Sequence, residues 1–308
     1  MRRNRVAEAE ISIQSNIPDR SMTLWKCLGL AAAVVFLHAH TLAALAIRWY
    51  SEADNTYGFF VPLVSLYLVW RMRDRLLEME TRPARWGAVL IALAILGQLL
   101  GVATDAGYLQ GLSLIGLIAG LVILLGGWKL FCATAFPVLY LILMVPLPGS
   151  VFSAIASPLQ SIASRCSVNL LELLRVPVVR SGNVFSLSGI SLEVAEACSG
   201  LRSLIGLLSM GILLGYLIMP RLWERLALAF SAIPIAVAAN IIRIAGTGII
   251  YEYVGAKYGQ GFYHGFGAWI VFVFALAVLL AEASLLSWLF EPQPAGGAAE
   301  KNQEPPAR

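Results

Sequence analysis

Long apolar runs separated by short polar or charged segments dominate this sequence. A helix needs roughly 20 apolar residues to cross the hydrocarbon core of a bilayer. Runs near that length occupy 24–48, 86–103, 108–126, 131–147, 201–219, 226–250 and 266–288, and a shorter one occupies 57–70. With 59% hydrophobic and 13% charged residues, the chain differs from soluble globular domains. We therefore predict an all-α polytopic membrane protein with about eight transmembrane helices.

Lys and Arg residues collect in alternate loops, which predicts the orientation of the chain. They lie in the N-terminal segment, in 71–85, at Lys129, and at Arg221 and Arg225. Short basic loops stay cytoplasmic, so both termini are expected in the cytoplasm. Because the basic residues are spread over several short loops, the net charge of +4 reflects topology, and we expect no nucleic-acid partner.

The segment 148–199, between the fifth and sixth runs, is the only soluble-looking part large enough to form a structure. Val151 to Leu174 repeats apolar residues near helical spacing, which predicts an amphipathic helix lying on the membrane surface. The stretches 176–179, 184–187 and 190–194 alternate around turn residues, which predicts short hairpin strands. We expect a small extracytoplasmic helix-plus-hairpin cap.

These patterns predict five regions. They are a cytoplasmic N-terminal segment 1–23, spans one to five in 24–147, the extracytoplasmic cap 148–199, spans six to eight in 200–288, and a disordered cytoplasmic tail 289–308 rich in Pro, Gly and Ala.

Cys198 lies in Glu196-Ala-Cys-Ser-Gly-Leu-Arg-Ser-Leu204, where a polar segment turns into the sixth apolar run. The start of a helix presents unpaired amide N–H groups and a positive dipole end, and both favour thiolate over thiol. A reactive thiol at a membrane surface is therefore plausible here, and it suggests acyl transfer.

Topology brings two further residues to the depth of Cys198. Arg243 lies in the outer half of the seventh run, inside Asn240-Ile-Ile-Arg-Ile244, and His264 lies just before the eighth. A thiol that attacks an acyl carbonyl needs a group that manages protons and a donor that holds the oxyanion. Arg keeps its proton at ordinary pH, so we favour the oxyanion role for Arg243 and acid/base work for His264. The two roles could also be exchanged.

The block around Cys198, the later Asn240-x-x-Arg243 and His264-Gly265 together resemble the exosortase/archaeosortase family of membrane cysteine transpeptidases. The resemblance extends over most of the apolar runs, because it also includes Asp54-x-x-Tyr57-Gly58 and Pro146-Leu-Pro148. The Cys block is its specific part. The block at Arg243 departs from the glycine-containing form of many members, and we expect no large soluble C-terminal extension of the kind that some members carry.

The resemblance implies that Cys198 is the nucleophile, assisted by Arg243 and His264. The implied substrates are exported proteins ending in a proline motif of the PEP-CTERM type, one transmembrane helix and a basic tail. Cleavage would pass through an acyl-thioester to water or another acceptor. The enzyme would lie in the bacterial inner membrane, with its active site on the periplasmic face. No diffusible cofactor is expected, since the thiol supplies the chemistry.

Each candidate residue also has a structural interpretation. Arg243 could extend its side chain to the outer headgroups, and His264 could be an interfacial residue beside Tyr263. Arg202, four residues after Cys198, could help to hold the thiolate or could anchor the helix end. Glu196 could orient His264 or Arg243, or be a solvated loop charge.

Three other functions compete with cysteine catalysis. A Cys166–Cys198 disulfide would make a redox protein, although the sequence has no CxxC motif. A metal site of Cys198, His264 and Glu196 lacks any HExxH or paired-Cys spacing. The strongest alternative is a non-enzymatic transporter or an assembly component for exported polysaccharide.

Overall fold

The computed structural model describes residues 20–182, 184–187, 190–193, 201–255 and 267–290. The chain forms two compact units, Met1–Pro146 and Leu147–Arg308. Each unit has its own helices, and the second also contains a small sheet.

The first unit consists of helices. They are α1 (Arg20–Leu37), α2 (Ala39–Ser51), a 3₁₀ turn (Ala53–Phe59), α3 (Phe60–Arg71), α4 (Arg73–Glu78), α5 (Trp86–Ala103), α6 (Gly107–Tyr140) and a second 3₁₀ turn (Leu141–Met144). Helices α1 and α2 meet at His38 with a bend of 67°. The first predicted run is therefore a broken helix.

Glycines hold α5 and α6 together as an antiparallel pair. A Cβ on Gly120 would lie 2.8 Å from Ile91 Cγ1, and a Cβ on Gly101 would lie 2.8 Å from Gln110 Cγ. In a bilayer, apolar side chains gain no hydrophobic free energy by moving from lipid into a helix interface. Helices therefore associate where small residues allow their backbones to approach closely. Residue 91 thus lies opposite residue 120, and residue 101 lies opposite residue 110, so the two helices are antiparallel and the chain turns between 101 and 110.

The backbone reverses inside α6 at Gly127, which has φ 83° and ψ −178°. A straight helix would separate Gly111 from Val145 by about 51 Å, whereas a Cβ on Gly111 would lie 2.8 Å from Val145 Cγ1. The Trp49 indole N–H also donates to the Met144 carbonyl at 3.0 Å. The predicted runs 108–126 and 131–147 therefore lie side by side.

The second unit contains helices and a small three-stranded antiparallel sheet of order β1-β2-β3. Its elements are α7 (Gly149–Leu173), β1 (Val179–Ser181), β2 (Val184–Leu187), β3 (Ile190–Glu193), α8 (Leu201–Ile218), α9 (Leu222–Tyr253) and α10 (Gly267–Phe290). A buried core of Leu207, Leu228, Ala232 and Leu279 joins α8, α9 and α10.

Helix α7 lies lengthwise along α9 and runs in the same direction. The Ser167 hydroxyl donates to the Ile241 carbonyl at 3.2 Å, and a Cβ on Gly248 would lie 3.0 Å from Leu171 Cδ1. The buried face of α7 carries small and polar residues as far as Ser167 and large apolar ones only at Val168 and Leu171, whereas the apolar Ile155 and Ile162 are exposed. This arrangement suits a helix with an apolar face toward lipid.

The observed helices fit the predicted all-α, multi-pass membrane protein. The predicted helix and strands of the 148–199 segment are observed near their expected positions. In the described part of the chain, four helices are long and apolar enough to cross a membrane, or five with the bent pair. Eight spans are therefore not confirmed. The predicted region boundaries and the role of the segment as an extracytoplasmic cap stay predictions. The predicted position of its helix on the membrane surface does not fit the lengthwise contact of α7 with α9.

Replacing Gly127 with Ala should destabilise the protein, because a Cβ there meets the Arg82 carbonyl oxygen and the φ is unfavourable for an L side chain. We expect the free energy of unfolding in detergent to fall by about 1–3 kcal/mol. The control is Gly246→Ala, since nothing lies within 4 Å of a Cβ on this helical glycine. An unchanged denaturation midpoint for Gly127→Ala would contradict the reversal at this residue.

Candidate functional site

Asn240 and Arg243 lie one turn apart on α9. Asn240 is 3% exposed, and Arg243 is half-buried. The helix continues past them, since the Thr247 hydroxyl donates to the Arg243 carbonyl at 2.8 Å. The core of small residues that ends at Ala239 lies on one side of this pair, and the cluster of Ile244 and Tyr251 lies on the other.

A buried row of polar side chains on α7 borders the same stretch of the bundle. Gln160, Ser164 and Ser167 are all buried and recur at helical spacing. Ser167 reaches the backbone of α9 at Ile241, between Asn240 and Arg243. The sequence reasoning missed this row because it followed the apolar face of the helix. The spacing 160, 164, 167 was the available signal.

Arg180 of β1 is a second cation near this row. Its Nε donates to the Ser164 hydroxyl oxygen at 3.1 Å. This residue was also missed by the sequence reasoning, in which it was only one of three basic residues in the 148–199 segment. Its role depends on a contact between a strand and a helix that sequence spacing does not show.

Contacts at two glycines of α8 fix the register of α8 against α9. A Cβ on Gly211 would be 3.1 Å from the Leu228 carbonyl oxygen and 3.4 Å from Ala232 Cβ. A Cβ on Gly215 would be 3.4 Å from Arg225 Cβ, so the helices are antiparallel. Leu201, ten residues before Gly211, is therefore level with the part of α9 near Asn240.

Helix α10 begins at the same end of the bundle. Its last residue, Phe290, makes an edge-to-face contact with Trp223 near the start of α9, with ring centroids 4.7 Å apart. Helix α10 is thus antiparallel to α9 and parallel to α8. A Cβ on Gly206 would lie 3.4 Å from the Phe272 ring, so Leu201 and Gly267, each five residues earlier, are level with each other.

The candidate residues divide into two groups. Asn240 and Arg243 are described, and Arg202 is placed by its backbone in the first turn of α8. The other three candidates, Cys198, Glu196 and His264, lie outside the described residues. The two alternatives that need them, a Cys166–Cys198 disulfide and a metal site, therefore also lie outside the described residues. Cys166 is exposed on α7.

The electrostatics of this end of the bundle favour anions. Two helices begin here, each with a positive dipole end and with first-turn amide N–H groups that have no acceptor within their own helix. Arg243 and Arg180 lie along the same part of the second unit. Such an environment stabilises a thiolate or a developing oxyanion.

A separate chain of buried polar side chains lies in the first unit. Ser113 donates to Gln98 Oε1 at 2.7 Å, Gln98 Nε2 donates to the Thr41 hydroxyl at 2.9 Å, and Thr41 donates to Gln110 Oε1 at 3.2 Å. His38 Nε2 is 3.5 Å from the Ser113 hydroxyl. Thr41 and Gln110 also line a cleft of about 60 Å³. Sequence reasoning did not find this chain, since its members are single polar residues in apolar runs.

Comparison with known proteins gives one match. The model of the family described as Transmembrane exosortase (Exosortase_EpsH) matches residues 49–281, which include the Cys198 block, Asn240, Arg243 and His264. Neither the curated proteins nor the solved structures gave a match.

The register of α8 against α9 can be tested by disulfide formation. In a chain with all four native cysteines replaced by Ala, Gly211→Cys and Ala232→Cys should form a disulfide on mild oxidation, because their Cβ atoms would be 3.4 Å apart. Protection of both thiols from a polyethylene glycol maleimide after denaturation measures the bond. The pair Gly211→Cys with Ala236→Cys, one turn away, is the control, and preferential bonding of the control pair would refute the register.

Proposed function

Since the chain belongs to the transmembrane exosortase family, we propose that it is a membrane cysteine endopeptidase and transpeptidase that uses Cys198 as its nucleophile. Its substrates are exported proteins with a C-terminal sorting signal, made of a proline-containing motif, a transmembrane helix and a basic tail. The family suggests a membrane transpeptidase. The identity of the nucleophile rests on the Glu196–Leu204 block.

One observation carries the proposal. The starts of α8 and α10 lie at the same level of the bundle as Asn240 and Arg243 of α9. Cys198 precedes Leu201 by three residues and His264 precedes Gly267 by three residues, and three residues span at most about 11 Å. We therefore propose that both residues act at the end of the bundle that holds Asn240 and Arg243. A thiol, an imidazole and a guanidinium in one such region are the groups that acyl transfer requires.

In the first half of the reaction, the Cys198 thiolate attacks the carbonyl carbon of the scissile peptide bond and a C–S bond forms. Arg243 stabilises the oxyanion of the tetrahedral intermediate. The C–N bond then breaks, and protonated His264 gives its proton to the leaving amine, which carries the transmembrane helix and basic tail. The substrate remains as an acyl-thioester.

In the second half, an amine or a water molecule attacks the thioester carbonyl. His264 accepts the proton of this acceptor, the C–S bond breaks, and the thiolate is regenerated. Water as acceptor gives a hydrolysed protein, whereas an amine gives a protein joined to a new group. The chemistry requires no diffusible cofactor.

The orientation of basic loops supports a periplasmic position for this site in the inner membrane. In the sequence, segments 51–56, 104–107 and 252–264 and the Cys198 end of segment 148–199 fall on the face opposite the basic loops. The start of α7 is instead level with the start of α9. A sorting signal whose tail is basic has its own tail held in the cytoplasm by the same rule, so its cleavage site emerges on the periplasmic side.

One observation favours the alternative of a transporter or an assembly component for exported polysaccharide. The buried polar chain of Thr41, Gln98, Gln110 and Ser113 lies within helices of the first unit, and polar groups inside membrane helices often mark transport pathways. Such a protein would not depend on the thiol of Cys198.

Replacing Cys198 with Ala or Ser should abolish processing of a membrane-exported reporter that carries the three-part sorting signal. We expect a loss of at least about a thousandfold, because removing a nucleophile leaves only binding and oxyanion stabilisation. The measurement is reporter size on a gel at matched enzyme levels in membranes. Cys166→Ala is the matched control, as it removes an exposed thiol from the same unit. Normal processing by Cys198→Ala would refute the proposal and favour the alternative.

A further inference from the structure

The cleft of the first unit carries charges of both signs on its walls. It lies between α2 and the start of α6, and its lining includes Arg48 of α2 and Asp105 of the loop before α6. Within the ranges that the structure describes, these two side chains form no ion pair with each other or with another residue. Opposite charges therefore line one small cleft without neutralising each other.

The Arg48 guanidinium lies over the first turn of α6. A Cβ on Gly107, the first residue of that helix, would lie 3.5 Å from Nη1 and 3.7 Å from Nη2 of Arg48. The residue before the helix is Ala106, whose side chain cannot cap it, so the N–H groups and the positive dipole end of the first turn lie beside the cation. A guanidinium next to a helix start forms a wall that suits a phosphate group.

Asp105 gives the cleft its negative charge. Its φ of 53° lies in the left-handed region, which Asp and Asn adopt more readily than other non-glycine residues. Two further lining residues, Thr41 and Gln110, are buried and fixed in position, since Thr41 donates to Gln110 Oε1 at 3.2 Å and Gln110 Nε2 donates to the Gly101 carbonyl at 3.0 Å. A carboxylate beside such a polar wall is suited to a primary ammonium group, whose N–H bonds it can accept.

The size and the level of the cleft indicate a lipid headgroup. Its volume of about 60 Å³ exceeds several-fold the roughly 10–15 Å³ needed for one water molecule, so the cleft holds a few heavy atoms. Tyr50 is 88% exposed and Tyr108 is also exposed, and tyrosines of this kind are enriched at the headgroup level of a bilayer. Loops 51–56 and 104–107 fall on the face opposite the basic loops. We therefore expect the cleft at the headgroups of the outer leaflet.

We propose that this cleft binds the phosphoethanolamine headgroup of a membrane phospholipid, with the ammonium against Asp105 and the phosphate against Arg48. Such a zwitterion neutralises both charges at once. A glycerol headgroup offers no cation to Asp105, and the trimethylammonium of choline has no N–H to donate. Both contacts are stronger at the boundary of the low-dielectric bilayer than in open water. The site lies in the first unit and does not depend on the chemistry proposed at Cys198.

The test is native mass spectrometry of the full chain purified in detergent. The protein is titrated with phosphatidylethanolamine, phosphatidylglycerol and phosphatidylcholine of identical acyl chains, and the dissociation constant of each is measured. We expect phosphatidylethanolamine to bind at least about tenfold more tightly than the other two. Glycerophosphoethanolamine, which lacks acyl chains, should not displace it at equal concentration. Displacement would overturn the lipid as the source of the headgroup.

Substitutions in the cleft give the decisive comparison. Asp105→Asn keeps a residue that tolerates the left-handed backbone, so it should leave phosphatidylcholine binding unchanged and reduce the preference for phosphatidylethanolamine to within about twofold. Arg48→Gln should weaken phosphatidylethanolamine binding at least about tenfold. Glu52→Gln is the matched control, because Glu52 is an exposed carboxylate just after α2 that does not line the cleft, and it should keep parental affinities.

Two results would overturn the site. One is a preference for phosphatidylethanolamine that survives in Asp105→Asn, since the carboxylate would then not select the ammonium. The other is an equal loss of all three lipids in Asp105→Asn, which would make Asp105 structural.

Discussion

The close approach of α8 to α9 at Gly211 and Gly215 is the contact on which the candidate site depends. A side chain at either glycine would meet the backbone of α9 within 3.1 Å. These contacts fix the level at which α8 begins, and hence the region that the polar block before it can reach. Because lipid does not drive apolar helices together, such small-residue contacts supply the packing that burial of apolar surface supplies in water.

The second unit separates polar and apolar groups in the way a bilayer requires. Buried positions of α7 are occupied by Ala156, Ala163, Ser164 and Ser167, while Ile155 and Ile162 are exposed. A buried hydroxyl must find an acceptor, and Ser167 finds one in the backbone of α9. The same row of serines that joins α7 to α9 also fixes Arg180, so the packing of the unit and the arrangement of its charges have a common origin.

Hydropathy and turn residues in the sequence were sufficient to predict a multi-pass helical membrane protein, the helix α7 and the short strands, whereas the predicted number of eight spans is not confirmed. The observed α7 and the three strands lie close to the segments predicted for them, because the period of apolar residues and the turn positions are local properties. The break at His38 and the lengthwise contact of α7 with α9 were not predictable in this way. They depend on which small or polar residues meet across helices, and an average over apolar residues does not contain that information.

For the site, the sequence proposed candidate residues by their intrinsic reactivity but not residues that position charge. Arg243 was proposed because a cation within an apolar run is costly, and Cys198 because a distinctive block surrounds it. Both roles stay predictions. Arg180 and Ser164 were not found, since a serine in a helix and an arginine in a strand are ordinary by themselves. Only their contact shows that a hydroxyl on α7 fixes the position of this cation.

The central claim is that the reaction passes through an acyl group on Cys198, and hydroxylamine capture tests it most directly. Membranes that contain the enzyme are given a sorting-signal reporter with increasing hydroxylamine, and the new C-terminus of the processed reporter is identified by mass spectrometry. An acyl-thioester predicts a C-terminal hydroxamate that replaces the product formed without hydroxylamine as its concentration rises. Processing that yields only a free carboxylate at every hydroxylamine concentration would contradict the thioester and indicate direct attack by water.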